Sequence, residues 1–126
     1  MRKPLGDRVL RAYAPAMSFI RPEPPYYAVI VSSALDTDHL DGYAAMDERM
    51  AELGRAQPGY LGRESKTGDD GRELTVLYYR DAESIAAWKQ HPEHLEAQRR
   101  GHEQWYADYH IEVAKVERAY GFKRGE

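Results

Sequence analysis

The stretch from Glu73 to Tyr109 constrains the fold of this chain more than any other segment. It opens with the apolar run ELTVLYYR, whose β-branched and aromatic residues predict a strand. Asp81 follows as a helix-capping residue type, and the segment through Trp88 predicts a short helix. His91-Pro92 then restarts the helix, because proline fits the first helical turn, and we expect this helix to run to about Tyr109. A strand that passes directly into a pair of helical segments indicates an α+β domain.

Three more strands and one more helix complete the predicted order. Tyr26 to Ser33 and Tyr60 to Lys66 predict strands, and the last strand is expected from His110 to about Tyr120. Asp70-Gly71 predicts a hairpin turn before the central strand. A helix that Asp36 or Thr37 would cap is predicted after the first strand, where apolar residues recur at helical spacing: Leu40, Tyr43, Met46, Met50 and Leu53. The order β-α-β-β-α-β predicts a ferredoxin-like α+β fold with a four-stranded antiparallel sheet.

The central strands predict how two copies of the chain would associate. Neither Tyr26 to Val31 nor Leu74 to Tyr79 alternates apolar with polar residues. An antiparallel sheet with helices on one face alternates when its other face meets water, so both faces of this sheet are expected to be buried. A second copy of the same sheet would cover the face without helices. We therefore expect a homodimer through the sheet faces, forming a dimeric α/β barrel.

Composition limits the functional classes. The 126 residues fit one domain, and a net charge of -3 gives no basic surplus for a nucleic-acid partner. No apolar run is long enough to cross a membrane, and the absence of cysteine excludes a disulfide scaffold, a zinc–thiolate site and a cysteine nucleophile. A cytoplasmic location fits this composition. Residues 1–25 predict an arm that is either flexible or draped over the surface, with Met17 an alternative start to Met1, followed by a domain over 26–122 and a tail over 123–126.

A run of polar and aromatic residues in the last helical region predicts a ligand site. His94, Gln98 and His102 are four residues apart and Trp105 follows, so one helical stripe is expected to carry all four. A neutral imidazole accepts a proton near pH 7, which makes His94 or His102 the expected catalytic residue, the choice between them staying open. The alternative is that these histidines cap helices or lie at the surface. Metal binding is not expected, because a glutamine stands where a second imidazole ligand would have to be.

The chain is rich in aromatic residues that carry a polar group, with ten Tyr and two Trp against two Phe. Buried Tyr and Trp need partners for their O–H and N–H groups, so their excess favours a pocket for a flat, polar-edged ligand over a plain core. Gly101 inside the predicted helix marks either a close backbone approach or a kink. Glu73 is expected to face solvent. The expected substrate-binding residues are Trp88, Tyr78, Gln98, Trp105 and Ser32, with Ser33 as the alternative hydroxyl on the first strand.

Residues 26–122 as a whole resemble the antibiotic biosynthesis monooxygenase family. The resemblance rests on the element order and on four stretches of sequence: QPGYLG at 57–62, LYYRD at 77–81 with Ala87-Trp88 downstream, HPEH at 91–94, and Trp105-Tyr106. It implies a dimeric α/β barrel and a monooxygenase. In the branch that resembles anthrone oxygenases, an electron-rich phenol reacts with dioxygen without metal or flavin, so no cofactor is expected. The partner is then a small aromatic substrate, an anthrone or a phenol-like metabolite, with Trp88 at the family's pocket tryptophan.

Two alternatives stay open beside that interpretation. The heme-degrading branch of the family has an asparagine on the first strand, a tryptophan at the helix start and a histidine ten residues later. Here Trp88 matches, but Gln98 stands at the histidine position and Ser32 or Ser33 in place of asparagine. Heme binding is thus the weaker alternative. The other is a non-catalytic dimer that binds a small ligand, in which the protein's own Trp and Tyr side chains would fill the cavity.

Overall fold

The computed structural model describes residues 21–125, so the predicted arm lies mostly outside the described residues and the alternative start at Met17 wholly so. The strands and helices confirm the predicted order β-α-β-β-α-β. They are β1 Tyr26–Leu35, α1 Tyr43–Arg55, β2 Tyr60–Thr67, β3 Glu73–Tyr79, α2 Ala82–Lys89, α3 Pro92–Arg100, a π-helical turn Gly101–Trp105, and β4 Tyr106–Val116. The fold is ferredoxin-like α+β, with the second helical position split between α2 and α3.

The four strands form one antiparallel sheet in the order β2-β3-β1-β4. Register pairs Ser33 of β1 with Glu73 of β3, and Ala28 of β1 with Tyr78 of β3. Because side chains alternate along a strand, these two pairs lie on opposite faces of the sheet. Ser33 and Glu73 lie beside Tyr43 of α1, so theirs is the helix face. The other side, which includes Tyr78, is the open face.

The turns between α2 and its neighbours form as the sequence predicts. Asp81 has extended backbone and its Oδ1 accepts a hydrogen bond from the Ser84 backbone N–H at 2.8 Å, which caps α2. His91 caps α3 in the same way through Nδ1, which accepts from the Glu93 N–H at 3.2 Å, and Pro92 is the first helical residue. The predicted restart of the helix at His91-Pro92 is therefore confirmed.

The end of the second helical region differs from the prediction. α3 stops at Arg100 rather than near Tyr109, and β4 begins at Tyr106, four residues before His110. The backbone widens into a π-helical turn at Gly101, where an added Cβ would lie 3.0 Å from the Tyr106 ring. Glycine therefore allows both the close approach and the change of helical pitch. Helical periodicity does not reveal this turn, because Tyr106 and Tyr109 have spacing that also suits a helix.

The start of α1 also differs from the prediction. The helix begins at Tyr43 after Gly42, whose φ of 83° lies in the left-handed region, and no side chain caps it. Asp36 instead folds onto its own loop, where Oδ1 accepts from the Asp38 N–H at 3.1 Å and Oδ2 lies 3.0 Å from His39 Nδ1. The Asp36 side chain therefore stabilises the loop before α1 and does not cap the helix.

Large aromatic side chains form the core. Tyr79 and Trp105 are each 2% exposed, and Tyr26 and Trp88 are also buried. The Trp105 indole N–H donates to the Asp41 carbonyl oxygen at 3.0 Å, which joins the π-helical turn to the loop before α1. Tyr79 packs edge-to-face on Tyr60 with ring centroids 5.9 Å apart, and burial raises its pKa to about 12. These buried Tyr and Trp side chains therefore stabilise the core by packing, and their abundance is not explained by a ligand site alone.

Candidate functional site

A half-enclosed cavity of about 140 Å³ lies between the helix face of the sheet and the N-terminal end of α1. Its lining combines hydroxyl, carboxylate, phenol and apolar groups: Ser33, Leu35, Tyr43, Thr67, Gly71 and Glu73. An added Cβ at Gly71 in the β2–β3 turn would meet nothing within 4 Å, so the rim is open there. A small concave site with a few convergent polar groups is the form that ligand sites in proteins take.

The floor of the cavity is a row of oxygen-bearing side chains on adjacent strands. Register pairs Glu73 of β3 with Thr67 of β2 and with Ser33 of β1, and Ser33 in turn with Tyr109 of β4. Glu73 Oε1 accepts from the Thr75 hydroxyl at 3.3 Å, which leaves its other oxygen for a ligand. Ser33 is only 6% exposed and lines the cavity. Within residues 21–125 no fully buried side-chain N or O atom lacks a hydrogen-bond partner, so the Ser33 hydroxyl is reached from the cavity rather than sealed inside the sheet.

Tyr43 lines one wall of the cavity, and Tyr106 packs behind it. The Tyr43 and Tyr106 rings meet edge-to-face with centroids 6.2 Å apart, and their hydroxyls are hydrogen-bonded to each other. Tyr43 also packs edge-to-face on Trp105 at 5.7 Å. Burial raises the pKa of both tyrosines, so both phenols are neutral at physiological pH. The wall is therefore rigid, aromatic and uncharged.

Negative charge surrounds the same region. Asp47 lies one turn after Tyr43 on α1, and removal of water from its carboxyl raises its pKa. The charge of Glu73 raises that pKa further, whereas the Arg63 guanidinium lowers it. Within residues 21–125, neither Asp47 nor Glu73 forms a salt bridge. The cavity consequently favours neutral or proton-donating ligands over anions.

His94 and Trp88 lie at the other end of α1. Their rings stack with centroids 4.3 Å apart and an interplanar angle of 13°, and His94 Nδ1 lies 2.9 Å from the Trp88 carbonyl oxygen. A carbonyl only accepts, so Nδ1 carries the proton and Nε2 keeps its lone pair. Burial lowers the His94 pKa, which keeps the ring neutral at pH 7. Trp88 packs on Gly54, about 16 Å along α1 from Tyr43 by helical rise, so this pair does not line the cavity.

The predicted common stripe of His94, Gln98, His102 and Trp105 is broken by the π-helical turn. His102 is exposed, and its ring stacks on Tyr109 at 5.4 Å with Nε2 against the Tyr109 hydroxyl. Trp105 is buried, with Arg100 4.4 Å above its ring, and its N–H is already satisfied. Gln98 is half-buried on α3. His102 therefore lies near the cavity through Tyr109, whereas His94 does not.

Tyr78 and Ser32 lie on the open face and not in the helix-side cavity. The Tyr78 hydroxyl donates to Glu64 Oε2 at 3.1 Å, and the Arg21 guanidinium lies 4.7 Å from its ring centroid. Ser32 Oγ accepts from Arg72 Nε at 2.9 Å. The next residue along β1, Ser33, has the position in the cavity that the sequence assigned to either serine. Strand alternation decides between them.

Comparison with known proteins places this geometry in a family. The family model described as antibiotic biosynthesis monooxygenase matches residues 26–100, which is more than half of the chain. The chain belongs to this family. The uncharacterized protein YqjZ of Bacillus subtilis (strain 168) is 46% identical over 97 residues, which cover 77% of this chain and 84% of YqjZ.

Solved structures with the same fold include proteins that are named as a monooxygenase and as an oxygenase. A putative antibiotic biosynthesis monooxygenase from Nitrosomonas europaea superposes with a TM-score of 0.63 at 17% identity, covering 77% of this chain and 95% of that one. SnoaB, a cofactor-independent oxygenase from Streptomyces nogalater, gives a TM-score of 0.63 at 9% identity, covering 76% and 97%. At these identities the likeness concerns the fold.

The cavity contains residues that the sequence analysis did not assign to a site. Glu73 was expected to face solvent, but it lines the cavity floor. Tyr43 and Asp47 were assigned to an ordinary amphipathic helix or to no role. The sequence shows that Glu73 has the same strand parity as Thr75 and Tyr79, and the structure shows that both of these residues are buried. Which parity faces the helices is set by tertiary packing, so strand parity alone does not identify the site.

Two kinds of feature are absent from the described part of the chain. Within residues 21–125, no group of three or more His, Cys, Asp or Glu residues is placed to hold a metal ion. Over the same residues, no helix has the length and apolar character needed to cross a membrane.

Proposed function

We propose that this protein is a cofactor-independent monooxygenase that oxidises a small electron-rich phenol with dioxygen. The observation that carries the proposal is the tyrosine-walled cavity with a carboxylate, Glu73, on its floor. Membership of the monooxygenase family and the shared fold with a cofactor-independent oxygenase support the same reaction class. A half-enclosed cavity that keeps a titratable group beside an aromatic ring also differs from a space filled by the protein's own side chains.

The reaction balances without a further reductant. Deprotonation of the phenol gives an electron-rich phenolate, which transfers electrons to dioxygen. A C–O bond then forms at the ring carbon para to the hydroxyl, and that carbon loses its hydrogen as the O–O bond breaks. One oxygen atom remains in the resulting quinone and the other leaves as water. The protein contributes orientation, a proton acceptor and restricted access of water.

Glu73 is the proposed proton acceptor, because it lines the cavity and has an oxygen that no described residue occupies. Asp47 is electrostatically coupled to Glu73, since the charge of Glu73 adds to the desolvation that raises the pKa of the Asp47 carboxyl. The His102–Tyr109 pair lies at the end of the same sheet row and offers the proton a route to solvent. His102 thus acts as a relay, whereas His94 stays with Trp88, away from the cavity.

We further propose that the working form is a homodimer joined through the open faces of its sheets, and that it is cytoplasmic. Leu74 lies on the open face of a central strand, opposite Ser32, and is 50% exposed. A central strand rarely leaves a leucine in water unless another surface covers it. A chain without cysteine is compatible with a reducing compartment.

The test is oxygen consumption by the purified full chain with a panel of monocyclic phenols and a model anthrone, with isotopically labelled dioxygen to follow the atom. We expect protein-dependent uptake and one labelled oxygen in the product. Glu73→Gln should slow turnover roughly 100-fold, the scale of general-base catalysis. Glu83→Gln, an exposed carboxylate on α2, is the matched control and should leave turnover unchanged.

The same panel contains the results that contradict the proposal. Absence of protein-dependent uptake with every phenol, together with retained phenol binding, would indicate a non-catalytic binding protein. Loss of turnover in His94→Ala with normal turnover in Glu73→Gln would move the proton acceptor to the Trp88–His94 pair. A product without labelled oxygen would exclude a monooxygenase.

A further inference from the structure

We infer that the cavity selects an uncharged, single-ring aromatic that carries two hydroxyl groups, with Ser33 as the residue that recognises the second hydroxyl. The inference rests on the proposed function in that it concerns the same cavity, and it adds the substrate class. Three independent features of the described residues lead to it: the size of the cavity, the hydroxyl of Ser33 and the distribution of charge.

The size of the cavity limits the ligand to one ring. A cavity of about 150 Å³ holds one benzene molecule in a well-studied engineered protein. The cavity here measures about 140 Å³, so one six-membered ring with small substituents fits. Three fused rings of an anthrone, or the four pyrroles of a heme, are far larger than this space, so most of their surface would extend through the open rim at Gly71 and stay in water. Its walls are the phenol of Tyr43 and the side chain of Leu35, which suit the faces of a flat ring.

Two oxygen groups on adjacent strands define how many hydroxyls the ring carries. Glu73 and Ser33 are direct cross-strand neighbours, and neighbouring strands lie about 4.8 Å apart. Glu73 accepts one hydroxyl proton. Ser33 is more than nine-tenths buried, lines the same cavity and has no partner within residues 21–125. A second ligand hydroxyl would satisfy it, whereas a ring with one hydroxyl would leave it unpaired at a cost in affinity.

The charges decide between neutral and anionic rings. Glu73 lines the cavity, Asp47 lies one helical turn from its wall, and Asp70 stands in the turn at its open rim. Arg63 is the cation that acts on Asp47, Arg72 beside the turn is paired with Asp108, and Arg100 is placed over the Trp105 ring. A ring that carries a carboxylate would therefore meet the Glu73 carboxylate inside the cavity without a cation among the lining residues. The site is expected to reject such ligands.

The experiment is calorimetric binding to the full chain without oxygen, so that no turnover is needed. The probes are catechol, phenol, the carboxylated catechol 3,4-dihydroxybenzoate and a model anthrone. We expect catechol to bind about ten-fold more tightly than phenol, the effect of one additional hydrogen bond to an otherwise unpaired group. The carboxylated catechol and the anthrone should bind at least ten-fold more weakly than catechol.

Variants assign the second hydroxyl to Ser33. Ser33→Ala should reduce the preference for catechol over phenol to about one, because catechol loses a hydrogen bond while phenol no longer leaves a hydroxyl unpaired and binds as tightly as before or more tightly. Ser32→Ala, the adjacent serine on the open face, is the matched control and should keep the preference. A merely structural role of Ser33 would weaken both ligands equally, and that result overturns the assignment. Equal binding of catechol and its carboxylated form, or tight binding of the anthrone, overturns the substrate class.

This test separates the inference from the proposed function. Oxygen uptake that depends on Glu73 together with no selectivity for two hydroxyls would reject only the inference. Selective catechol binding without oxygen uptake from any phenol would reject only the monooxygenase proposal.

Discussion

Single side chains in this protein have environments that their residue type alone does not predict. His94 and His102 are both histidines of the same helical region, yet one is stacked on Trp88 and bonded to a carbonyl while the other is exposed against Tyr109. Burial of His94 disfavours its charged form and lowers its pKa. Residue type therefore identified both as candidate proton carriers, and packing gave the two rings different surroundings.

The lowered pKa of His94 leads to a prediction about pH and stability. The pKa of His94 in the folded chain lies below its ordinary value of 6.5, which applies to the unfolded chain. At a pH between the folded pKa and 6.5, the unfolded chain therefore binds the proton and the folded chain does not. Stability should therefore fall as pH decreases through 6.5 toward the folded pKa. His94→Phe, which keeps a ring over Trp88, should lose less stability than wild type between pH 7.5 and 5.5 in urea unfolding.

The control for that prediction is His110→Gln, because the His110 side chain is 72% exposed on β4. This variant should show the same pH dependence as wild type. If His94→Phe shows it too, the pH dependence does not come from His94.

Elements of secondary structure were predictable where local signals agree. The strands around Glu73–Tyr79 and Tyr26–Leu35, the cap at Asp81 and the helix restart at Pro92 were predicted from residue type and order. The boundary at Gly101 was not, because a π-helical turn has no pattern of its own and the tyrosines after it suit either helix or strand. Residue propensity therefore predicted which helices and strands form, whereas contacts between them determine at which residue each one ends.

Gly59 provides a prediction at the junction of two elements. It has a φ of 83° just before β2, and an added Cβ would lie 2.0 Å from Ser84 Oγ and 2.7 Å from Ser84 Cβ on α2. Gly59→Ala should lower the free energy of unfolding by about 3 kcal/mol, combining left-handed backbone strain with steric overlap. Chemical denaturation would measure it. Gly121→Ala, where a Cβ meets nothing within 4 Å, should change stability by less than about 0.5 kcal/mol.

The whole molecule has one sheet face covered by helices and one without them. The prediction that follows concerns association. Leu74→Glu should convert the proposed dimer to a monomer, because a carboxylate on the open face would be buried unpaired between two sheets. Light scattering after size-exclusion chromatography would measure the mass. Leu95→Glu on α3 is a matched control, since Leu95 is 45% exposed on the helical layer.

Either result would be informative about that face. A monomer in Leu74→Glu with a dimer in Leu95→Glu supports association through the sheets. A wild-type chain that is monomeric at every concentration would contradict the proposed dimer, and the apolar composition of the central strands would then need another explanation.

The sequence by itself determined the α+β class, the element order and the family, because these follow from local periodicity, turn residues and short motifs. It also indicated that aromatic and titratable groups would meet near the second helical region. Only the tertiary structure decided that Glu73 and Ser33, rather than Tyr78 and Ser32, face the helices, and that Tyr43 closes the cavity over them. The physical reason is that strand register and helix packing set which side of each strand turns inward, and a shift by one residue exchanges the two sets.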